Sequence, residues 1–431
     1  ETDFILNKIH NLCVTKDIEA HIVGGFVRDL LLDVSSKDID IVVVGKGGIE
    51  FARDCATACG VTQQRIKFFK NFGTANFTAR GVELEFVGAR KESYNRSSRK
   101  PIVEDGTLFD DQQRRDFTIN TLSIDLRTGE LIDPFGGIKD LHDGIIKTPI
   151  DANITFSDDP LRQLRAIRFA TRFNFTIENE TKNAINKNIH RLAIVSQERI
   201  LVELTKMLLS DNPRYGIELM NETGLLNIIL PELVALKGVE EIDGFRHKDN
   251  FLHTMVVLEQ TAKKSNDIVL RWTALLHDIG KVKTKKLVNK GWTFHSHEIV
   301  GKYMLKKIAY RLKLPNKLVE DIGKLIENHG RPKELVKNIV TDSAIRRLVV
   351  DMGEQLNDLL LFCSCDITTR FKDRKNVQQH ALIELFKRVK TIEEIDNLRN
   401  FELPITGDDI MKEFDLKPSK LVGDIKDIVK E

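Results

Sequence analysis

The stretch GGFVRDLLLDVSSKDIDIVVVG, residues Gly24–Gly45, joins a glycine pair to a β-branched run. Since β-branched residues favour strands, the sequence predicts a strand over Ile39–Val44 that ends at Gly45. Asp38 and Asp40 are separated by one residue, and alternate side chains of a strand point to the same face. The stretch therefore predicts an α/β unit in which two carboxylates converge on one point.

The chemistry of this stretch suits a nucleotide. Two convergent carboxylates form a hard oxygen site for Mg²⁺, which prefers carboxylates together with substrate phosphates. Gly24 and Gly25 would let backbone N–H groups approach a triphosphate without obstruction by a Cβ atom. Arg28 could neutralise phosphate charge. The competing interpretation is a simple turn beside a chance pair of aspartates. The combination of Asp38 and Asp40 with the glycine pair and Arg28 favours the nucleotide site.

The α/β character continues beyond this unit. Phe77–Val87 predicts two short strands around a tight turn at Arg80–Gly81. Thr118–Asp125 is another strand candidate, although its asparagine and serine also suit the start of a helix. Between Gly88 and Arg115, nearly half of the residues are charged and apolar periodicity is almost absent. We expect a long loop there, and such loops in compact domains are usually functional or mobile.

The rest of the chain has helical periodicity, with apolar residues three and four positions apart from about Phe156 onward. Breaks between helices are predicted at Asp211–Pro213 and near Asp243–Gly244. Helices should continue to about Lys390. The tail from Phe401 contains prolines and glycines, and its pattern predicts a short helical hairpin.

Composition sets wider limits. The 431 residues exceed what one core usually holds, so several domains are expected. The hydrophobic fraction of 41 % and the charged fraction of 30 % are typical of a soluble protein. No apolar run approaches the ~18 residues of a membrane span, and the first residues lack a secretory signal pattern. Five cysteines are sparse and odd in number, which predicts a reducing cytoplasm and no disulfide framework. Cys363 and Cys365 are too close for the usual zinc pairing.

The net charge of +2 does not by itself indicate a nucleic-acid partner, but local arginine clusters do. The stretch Arg114–Asn120, RRDFTIN, is the first of them. Arginines bind phosphates in a bidentate manner, and Asp116 and Asn120 could hold ribose hydroxyls. The motif is weak in isolation because an Arg-Arg-Asp string is common on solvated surfaces.

The second cluster lies on a helix. Pro160 suits a first turn, and the aspartates before it suit a helix N-terminus. Asp159 stands at the head of a face that carries arginines three, three and four residues apart: Arg162, Arg165, Arg168 and Arg172. The competing interpretation is a solvated helix face.

The residues at the head of this helix face could recognise a nucleotide base. A carboxylate accepts from an exocyclic amino group, and a guanidinium donates to ring nitrogens and carbonyls. Cytosine and adenine carry an amino group next to an acceptor nitrogen, whereas uracil and guanine carry a carbonyl there. A pair formed by Asp159 and Arg162 could therefore accept C and A and reject U and G without a nucleic-acid template.

Histidines and aspartates form another set far downstream. Imidazole and carboxylate ligands on facing helices suit a divalent transition metal. One histidine would more often be structural, but several within one segment of a chain with 11 histidines favour a metal centre. The set consists of His253, His277, Asp278, His297, His329 and Asp366.

The ordered set of motifs resembles class II tRNA nucleotidyltransferases, which are the CCA-adding enzymes and their bacterial poly(A) polymerase relatives. The resemblance covers about residues 15–210 and implies an α+β protein. Its N-terminal nucleotidyltransferase β-sheet head precedes a mostly α-helical neck, body and HD domain. The matching stretches are Gly24–Asp29, Asp38–Asp40, Arg114–Asn120, Asp133–Gly137, Asp140–Leu141, Asp159–Arg162, Glu198–Ile200 and Glu203–Leu204.

The resemblance implies a role for each motif. Asp38 and Asp40 would be the catalytic pair that holds two divalent ions. Asp159 and Arg162 would read the incoming base, and the charged stretch 88–113 would be the mobile loop that helps to switch specificity from C to A. The implied nucleotide-binding residues are Gly24, Gly25, Arg28, Arg115, Asp116, Asn120, Asp159, Arg162, Arg165 and Arg168.

Three acidic residues qualify this picture. Many CCA-adding members have glutamate where this chain has Asp158, and this difference leaves the role of that residue open. Glu83 and Glu85 could supply a third acid near the metal ions. An exposed strand face explains these two glutamates equally well.

The downstream set resembles the HD-superfamily phosphohydrolases through His253, His277, Asp278 and Asp366. His297 and His329 resemble the additional histidines of binuclear members. The implied cofactor is a divalent transition metal, with a possible phosphohydrolase activity. The tail 404–428 resembles the C-terminal element of HD-bearing members.

The predicted organisation has four parts: a catalytic head at 1–148, a helical neck and body for base reading and RNA binding at 149–243, an HD domain at 244–390 and a helical tail at 391–431. The predicted function is template-independent addition of CCA to the tRNA 3′ end from CTP and ATP with Mg²⁺. The alternatives are a poly(A) polymerase or a partial CC- or A-adding enzyme. An alternative of another class is an HD phosphohydrolase whose head docks RNA. No membrane partner is expected, and the oligomeric state is open.

Overall fold

The computed structural model describes residues 1–45, 47–69, 73–94, 101–242, 245–246, 249–288, 291–337, 341–369, 371–396 and 405–430. A head built on a β-sheet is followed by a mostly helical body, which confirms the predicted α+β class. Within these ranges, no helix is long and apolar enough to cross a membrane.

The head contains a mixed sheet. Its strands are β1 (Ala20–Val23), β2 (Asp38–Val43), β3 (Lys67–Phe69), β4 (Thr74–Ala79), β5 (Val82–Gly88), β6 (Arg90–Tyr94), β7 (Pro101–Asp105), β8 (Ser123–Asp125) and β9 (Leu131–Ile132). Seven of them form one sheet in the order β3-β4-β5-β2-β1-β8-β9. Strands β2 and β5 run parallel, and the other neighbours are antiparallel. Strands β6 and β7 form a separate antiparallel pair.

Helices cover the apolar face of this sheet. Ile39 and Ile41 of β2 are buried in the core together with residues of the flanking helices. Because side chains alternate along a strand, Asp38 and Asp40 lie on the opposite face. The strand predicted over Ile39–Val44 is thus confirmed. The helices of the head are α1 (Thr2–Lys16), α2 (Gly25–Leu31), α3 (Gly48–Ala58), α4 (Leu108–Gln113) and α5 (Gly137–Asp143).

The tight turn predicted between two short strands is confirmed. Strands β4 and β5 pair as an antiparallel hairpin around Arg80 and Gly81. Both turn residues have positive φ values, 48° and 79°. Two successive positive φ angles match the twist of a two-residue hairpin turn, and glycine adopts the second without steric cost.

The strand predicted over Thr118–Asp125 is only half right. Thr118–Asn120 forms a 3₁₀ turn, and β8 begins at Ser123. The Thr121 hydroxyl donates to the Thr118 carbonyl, a local bond that closes the turn instead of extending the strand.

The long loop predicted between Gly88 and Arg115 is wrong for the described residues. Strands β6 and β7 pair with each other, and residues 95–100 between them lie outside the described ranges. Helix α4 then begins at a capping box formed by Thr107 and Asp110. Strands β6 and β7 pair through backbone hydrogen bonds, which need no particular side chain, so no apolar alternation in the sequence indicates them. The implied mobility of this stretch stays a prediction.

The body confirms the helical prediction. Its first helices are α6 (Ala152–Asp158), α7 (Leu161–Phe173), α8 (Asn179–Asn188), α9 (Gln197–Leu208), α10 (Pro213–Glu222), α11 (Leu225–Ile229) and α12 (Pro231–Val234). The predicted break at Asp211–Pro213 is present, because Pro213 opens α10 and the Asn212 side chain accepts from the Tyr215 N–H. The other predicted break, at Asp243–Gly244, lies outside the described residues.

Further helices complete the body and tail. They are α13 (Asn250–Lys264), α14 (Ile268–Leu276), α15 (Lys281–Thr284), α16 (His297–Leu312), α17 (Asn316–Asn328), α18 (Arg331–Lys337), α19 (Asp342–Met352), α20 (Leu356–Cys365), α21 (Lys372–Asp396), α22 (Gly407–Glu413) and α23 (Lys420–Lys430). Helix α21 continues across residue 390, where the sequence placed a boundary. Helices α22 and α23 pack together, as the predicted hairpin requires.

Short strand pairs that the sequence did not indicate also occur after the head sheet. They have only two or three residues each, too few for a period-2 pattern to be recognised. They are β10 (Ile145–Ile146), β11 (Thr176–Ile177), β12 (Glu241–Ile242), β13 (Phe245–Arg246), β14 (Lys286–Val288) and β15 (Gly291–Thr293).

Candidate nucleotide site and candidate metal centre

The glycine pair lies directly beside the paired aspartates. Strand β1 ends at Val23, whose register partner on β2 is Asp40, so Gly24 leaves the sheet next to this carboxylate. Gly24 has φ +74°, and a Cβ atom there would come within 2.6 Å of the Arg115 guanidinium. The position therefore requires glycine both for its backbone conformation and for the close approach of Arg115.

The carboxylates of β2 have acidic neighbours on β5. Asp38 pairs with Glu83 and Asp40 with Glu85 in the parallel register, so all four project from the same face. Enclosure by the cleft walls raises the pKa of Asp40, Arg115 opposes this shift, and Asp38 adds to it. The Glu85 pKa is raised for the same reason, by partial burial and the nearby Asp40 charge. Such a concentration of negative charge suits a divalent cation.

A carboxylate that the sequence analysis missed organises the arginines of this site. Asp111 on α4 is fully buried, and its two oxygens accept from different guanidinium groups. Arg114 Nη2 lies 2.5 Å from Oδ1, and Arg115 Nη2 lies 2.9 Å from Oδ2. Burial would raise the Asp111 pKa, but the two cations outweigh it and lower the pKa. The i,i+3 and i,i+4 spacing was the available signal.

The predicted residues Arg28, Asp116 and Asn120 form one buried network. Arg28 Nη1 donates to Asn120 Oδ1 at 2.5 Å, and Asn120 Nδ2 donates to Asp116 Oδ1 at 2.8 Å. Burial lowers the Arg28 pKa, whereas its pairing with Asp29 raises it. The network restrains these three side chains of the cleft lining, because each is hydrogen-bonded to another.

The arginine face of α7 is paired rather than solvated. Arg165 Nε donates to Asp116 Oδ2 at 2.7 Å, and Arg168 Nε donates to Glu203 Oε2 at 2.5 Å. Burial opposes ionisation of Asp116, but Arg165 and Asn120 lower its pKa to about 2. Glu203 on α9 is a partner that spacing could not reveal, since it is 35 residues from Arg168.

The base-reading candidates lie at the head of α7. Asp159 Oδ1 accepts from the Leu161 N–H at 3.1 Å, and Arg162 Nη2 donates to the Arg114 carbonyl at 2.6 Å. The second contact ties the base-reading candidate to the loop that follows α4. Both residues border the same cleft, so the structure brings the predicted pair to one place.

This cleft has a volume of about 430 Å³. Gly25 is part of its lining, and the neighbouring Gly24 lies against the Arg115 side chain, which also lines the cleft. Asp40 also lies in the lining, whereas Asp38 stands two residues away on the same strand face. The other lining residues are Arg28, Arg114, Arg115, Asp116, Asn120, Asp159, Leu161, Arg162, Arg165, Arg168, Phe169, Arg172 and Arg199.

The downstream histidines and aspartates also meet in the structure. Their possible ligand atoms form two groups, and within each group the atoms lie within 4.8 Å of one another. The first group is His253, His277 and Asp366, and the second is Asp278, His297 and His329.

Asp278 lies between the two groups. Its Oδ2 is 3.3 Å from His277 Nε2 and 3.4 Å from His253 Nε2. Its Oδ1 is 3.4 Å from His297 Nε2 and 3.9 Å from His329 Nε2. One carboxylate can thus face two adjacent cation positions.

The histidine rings are oriented by their other nitrogen. Nδ1 of His277, His297 and His329 lies 2.7–3.0 Å from backbone carbonyls, so these atoms carry the protons and donate. His253 Nδ1 lies 2.8 Å from the Thr368 hydroxyl. The carbonyl contacts therefore direct the Nε2 atoms of His277, His297 and His329 toward the centre, the orientation that metal ligation requires.

Charge in this centre favours a cation. Burial and the neighbouring His277 lower the pKa of His329 to about 3, which keeps its imidazole neutral. Asp366 Oδ1 is buried and lies 3.0 Å from His253 Nε2 and 3.8 Å from His277 Nε2. A carboxylate oxygen beside two imidazole nitrogens is a ligand set that suits a divalent transition metal.

Two lysines that the sequence analysis missed flank the centre. Lys281 Nζ lies 2.6 Å from Asp278 Oδ2, and Lys333 pairs with Asp366 Oδ2. Both also border an adjoining pocket of about 340 Å³. Lys281 was detectable from its i,i+3 spacing to Asp278, whereas Lys333 comes from a separate helix.

Comparison with protein families divides the chain into three matched segments. Residues 20–147 match the poly A polymerase head domain. Residues 174–236 match the probable RNA and SrmB-binding site of polymerase A, and residues 249–361 match the HD domain.

Whole-protein relatives agree with these segments. The multifunctional CCA protein of Vibrio vulnificus strain YJ016 is 31 % identical over 376 residues, which cover 84 % of this chain and 87 % of the relative. The one from Neisseria gonorrhoeae strain NCCP11945 is 36 % identical over 314 residues, or 70 % and 72 % of the two chains. A solved tRNA nucleotidyltransferase, complexed with a primer tRNA and an incoming ATP analogue, is 25 % identical with a TM-score of 0.60. The match covers 89 % of this chain and 99 % of that one.

Proposed function

This chain belongs to the family of the multifunctional CCA proteins, which are nucleotidyltransferases, and we propose that it adds CCA to the 3′ end of tRNA from CTP and ATP. The observation that carries the proposal is a single cleft lined both by Asp40 and by the base-reading candidates Asp159 and Arg162. A nucleoside triphosphate needs both kinds of group, because it joins a charged phosphate chain to a base.

The reaction proposed is attack of the tRNA 3′-hydroxyl oxygen on the α-phosphorus, which forms a phosphodiester and releases pyrophosphate. Magnesium ions bound by Asp38 and Asp40 would activate the hydroxyl and offset charge on the leaving group. Arg28 and Arg115 line the same cleft and would bind the phosphates, since guanidinium groups match phosphate oxygens. Asp116 and Asn120 would hold the sugar, since both line the same cleft.

Base selection is proposed for the head of α7. The carboxylate of Asp159 would accept from the amino group of cytosine or adenine, and Arg162 would donate to the adjacent ring nitrogen. Because Arg162 also donates to the Arg114 carbonyl, a small movement of the loop after α4 would shift the reading geometry. That coupling offers a route from C addition to A addition at one site.

We propose a separate role for each of the four predicted parts of the chain. The head, 1–148, would carry the chemistry, and 149–243 would read the base and hold RNA. The parts 244–390 and 391–431 would contain the metal centre and the helical tail. Transfer RNA, CTP and ATP are the proposed partners.

A primer-extension assay tests the proposal. The protein is incubated with Mg²⁺ and tRNA that lacks CCA, with each nucleotide alone and with all together, and the products are sequenced. We expect addition that stops at CCA. A long A tract, arrest after CC, or addition of A only to tRNA that already ends in CC would identify one of the alternative products. No incorporation by folded protein would reject the proposal.

Replacing Arg162 with alanine is expected to relax base choice. The variant loses the donor to the ring nitrogen, and one bidentate base contact contributes about 1–3 kcal/mol of discrimination. The ratio of C addition to U addition should therefore fall by about 10- to 100-fold, measured as kcat/KM with single nucleotides. Lys139→Ala, a change at an exposed lysine of α5, is the control. An unchanged ratio would exclude Arg162 from base reading.

A second activity is proposed for the centre around Asp278: hydrolysis of phosphoesters with a divalent transition metal. Four Nε2 atoms and two aspartates converge there, and Asp366 Oδ1 lies 3.0 Å from His253 Nε2, which supports cation binding. The adjoining pocket contains Lys281 and Lys333, whose ammonium groups could bind substrate phosphate. The four histidines with Asp278 and Asp366 would hold the metal, whose chemistry would be the activation of water as a nucleophile.

A further inference from the structure

Helix α16 presents an exposed face that the proposed reaction does not use. It begins at His297 in the candidate metal centre, but its outer face carries tyrosines and lysines three or four residues apart. Tyr303 is 64 % exposed and Tyr310 is 80 % exposed, far more than is usual for residues of this size. We define this face as the α16 stripe, which consists of Tyr303, Lys306, Lys307, Tyr310 and Lys313.

The rings and ammonium groups of the α16 stripe are arranged in pairs. Lys306 Nζ lies 5.7 Å from the centre of the Tyr303 ring, and Lys313 Nζ lies 4.8 Å from that of Tyr310. These distances fall within cation–π range, so each lysine limits the freedom of its tyrosine. The stripe extends about 15 Å along the helix, at 1.5 Å per residue.

The lysines of the stripe have no acidic partner among the residues that the structure describes. Nearby lysines differ, since Lys302 pairs with Glu327 at 2.6 Å and Lys317 with Asp321 at 3.0 Å. The positive charge of Lys306, Lys307 and Lys313 is therefore available to an external anion.

The opposite face of α16 is fixed in the body. Its buried residues belong to the apolar core, and Arg311 Nη1 lies 2.8 Å from Glu232 Oε1. The helix also packs on α9, whose Arg199 lines the nucleotide cleft. The α16 stripe is thus a rigid surface joined through one helix to the site of nucleotide addition.

We propose that the α16 stripe is an RNA-binding surface that holds the body of the tRNA while its 3′ end occupies the cleft. This inference rests on the proposed function. Lysines contact backbone phosphates, and exposed aromatic rings stack on unpaired bases.

Other partners fit the α16 stripe less well. Protein interfaces are depleted in lysine at their centres, and three lysines occupy this short stripe. A membrane would require an apolar face free to insert, whereas the apolar face of α16 is already buried in the core.

Binding of labelled tRNA that lacks CCA tests the inference. The first variant is Tyr303→Ala/Tyr310→Ala, and the second is Lys306→Gln/Lys307→Gln/Lys313→Gln. We expect each to raise the Kd for tRNA by about tenfold or more, because the first variant loses base stacking and the second loses phosphate contacts. The lysine variant should also reduce the salt dependence of log Kd by about two. The affinity for CTP and the rate at saturating tRNA should not change.

The matched control is Phe4→Ala/Lys8→Gln on α1, an exposed aromatic ring with a lysine 5.6 Å from its centre. Equal tRNA affinity for wild type and stripe variants would overturn the inference. A stripe variant that keeps its tRNA affinity but changes its molecular mass in sedimentation would also overturn it, because the stripe would then join copies of this chain. If wild type extends tRNA but the stripe variants bind it normally, only this inference fails. If wild type neither binds nor extends tRNA, the proposed function fails as well.

Discussion

Replacing Asp40 with asparagine is expected to reduce nucleotide addition by about a thousandfold or more. The variant keeps the shape of the side chain but removes one charge from the face that also carries Asp38 and Glu85. A bound metal ion contributes several kcal/mol to stabilising the transition state, and each 1.36 kcal/mol corresponds to a factor of ten. The measurement is the single-turnover rate of CTP addition to tRNA that lacks CCA.

The control for this change is Asp54→Asn. Asp54 lies on α3, where it pairs with Lys16 on the far side of the sheet, so its loss should leave addition unaffected. Both variants should unfold at nearly the same temperature as wild type. An Asp40→Asn variant that adds nucleotides at the wild-type rate would contradict the metal assignment and favour a head that only docks RNA.

Replacing Asp278 with asparagine is expected to remove the second activity, with at least about a thousandfold loss of phosphoester hydrolysis. This carboxylate faces both ligand groups, so its charge supports both cation positions. The variant should also retain less metal after dialysis, measured by elemental analysis. Nucleotide addition should be preserved, because the cleft of the head has no residue in common with this centre.

An exposed aspartate of the same region provides the control. Asp342 pairs with Arg388 at the surface, and Asp342→Asn should change neither metal content nor hydrolysis. If Asp278→Asn binds as much metal as wild type, these residues are not the ligands. If it loses metal but wild type hydrolyses no phosphoester, the centre is structural and the second activity is rejected.

Local sequence patterns correctly predicted the strand that carries the paired aspartates and two helix boundaries. The alternation of Ile39 and Ile41 with Asp38 and Asp40 was sufficient to place both carboxylates on one strand face, because side-chain direction has a period of two. The helix beginning near Pro160 and the break at Pro213 followed from the fixed φ of proline in a first helical turn. These features depend only on neighbours in the chain.

Predictions were less reliable where local pattern and tertiary pairing disagree. The charged stretch after Gly88 contained no apolar period, yet β6 and β7 pair through their backbones. Backbone hydrogen bonds need no particular side chain, so such a hairpin leaves little trace in the sequence. The region Thr118–Asn120 was ambiguous for a similar reason, since its hydroxyl and amide groups bond to the local backbone.

The sequence by itself determined the α+β class, the family and the residue types at both candidate sites. Only the tertiary structure decided which groups neutralise one another: Asp111 with Arg115, Glu203 with Arg168 and Lys333 with Asp366. A buried charge must find an opposite charge because desolvation is costly, but the partner can come from any element that packs nearby. Local sequence therefore specifies that a partner is needed, and the fold specifies which residue it is.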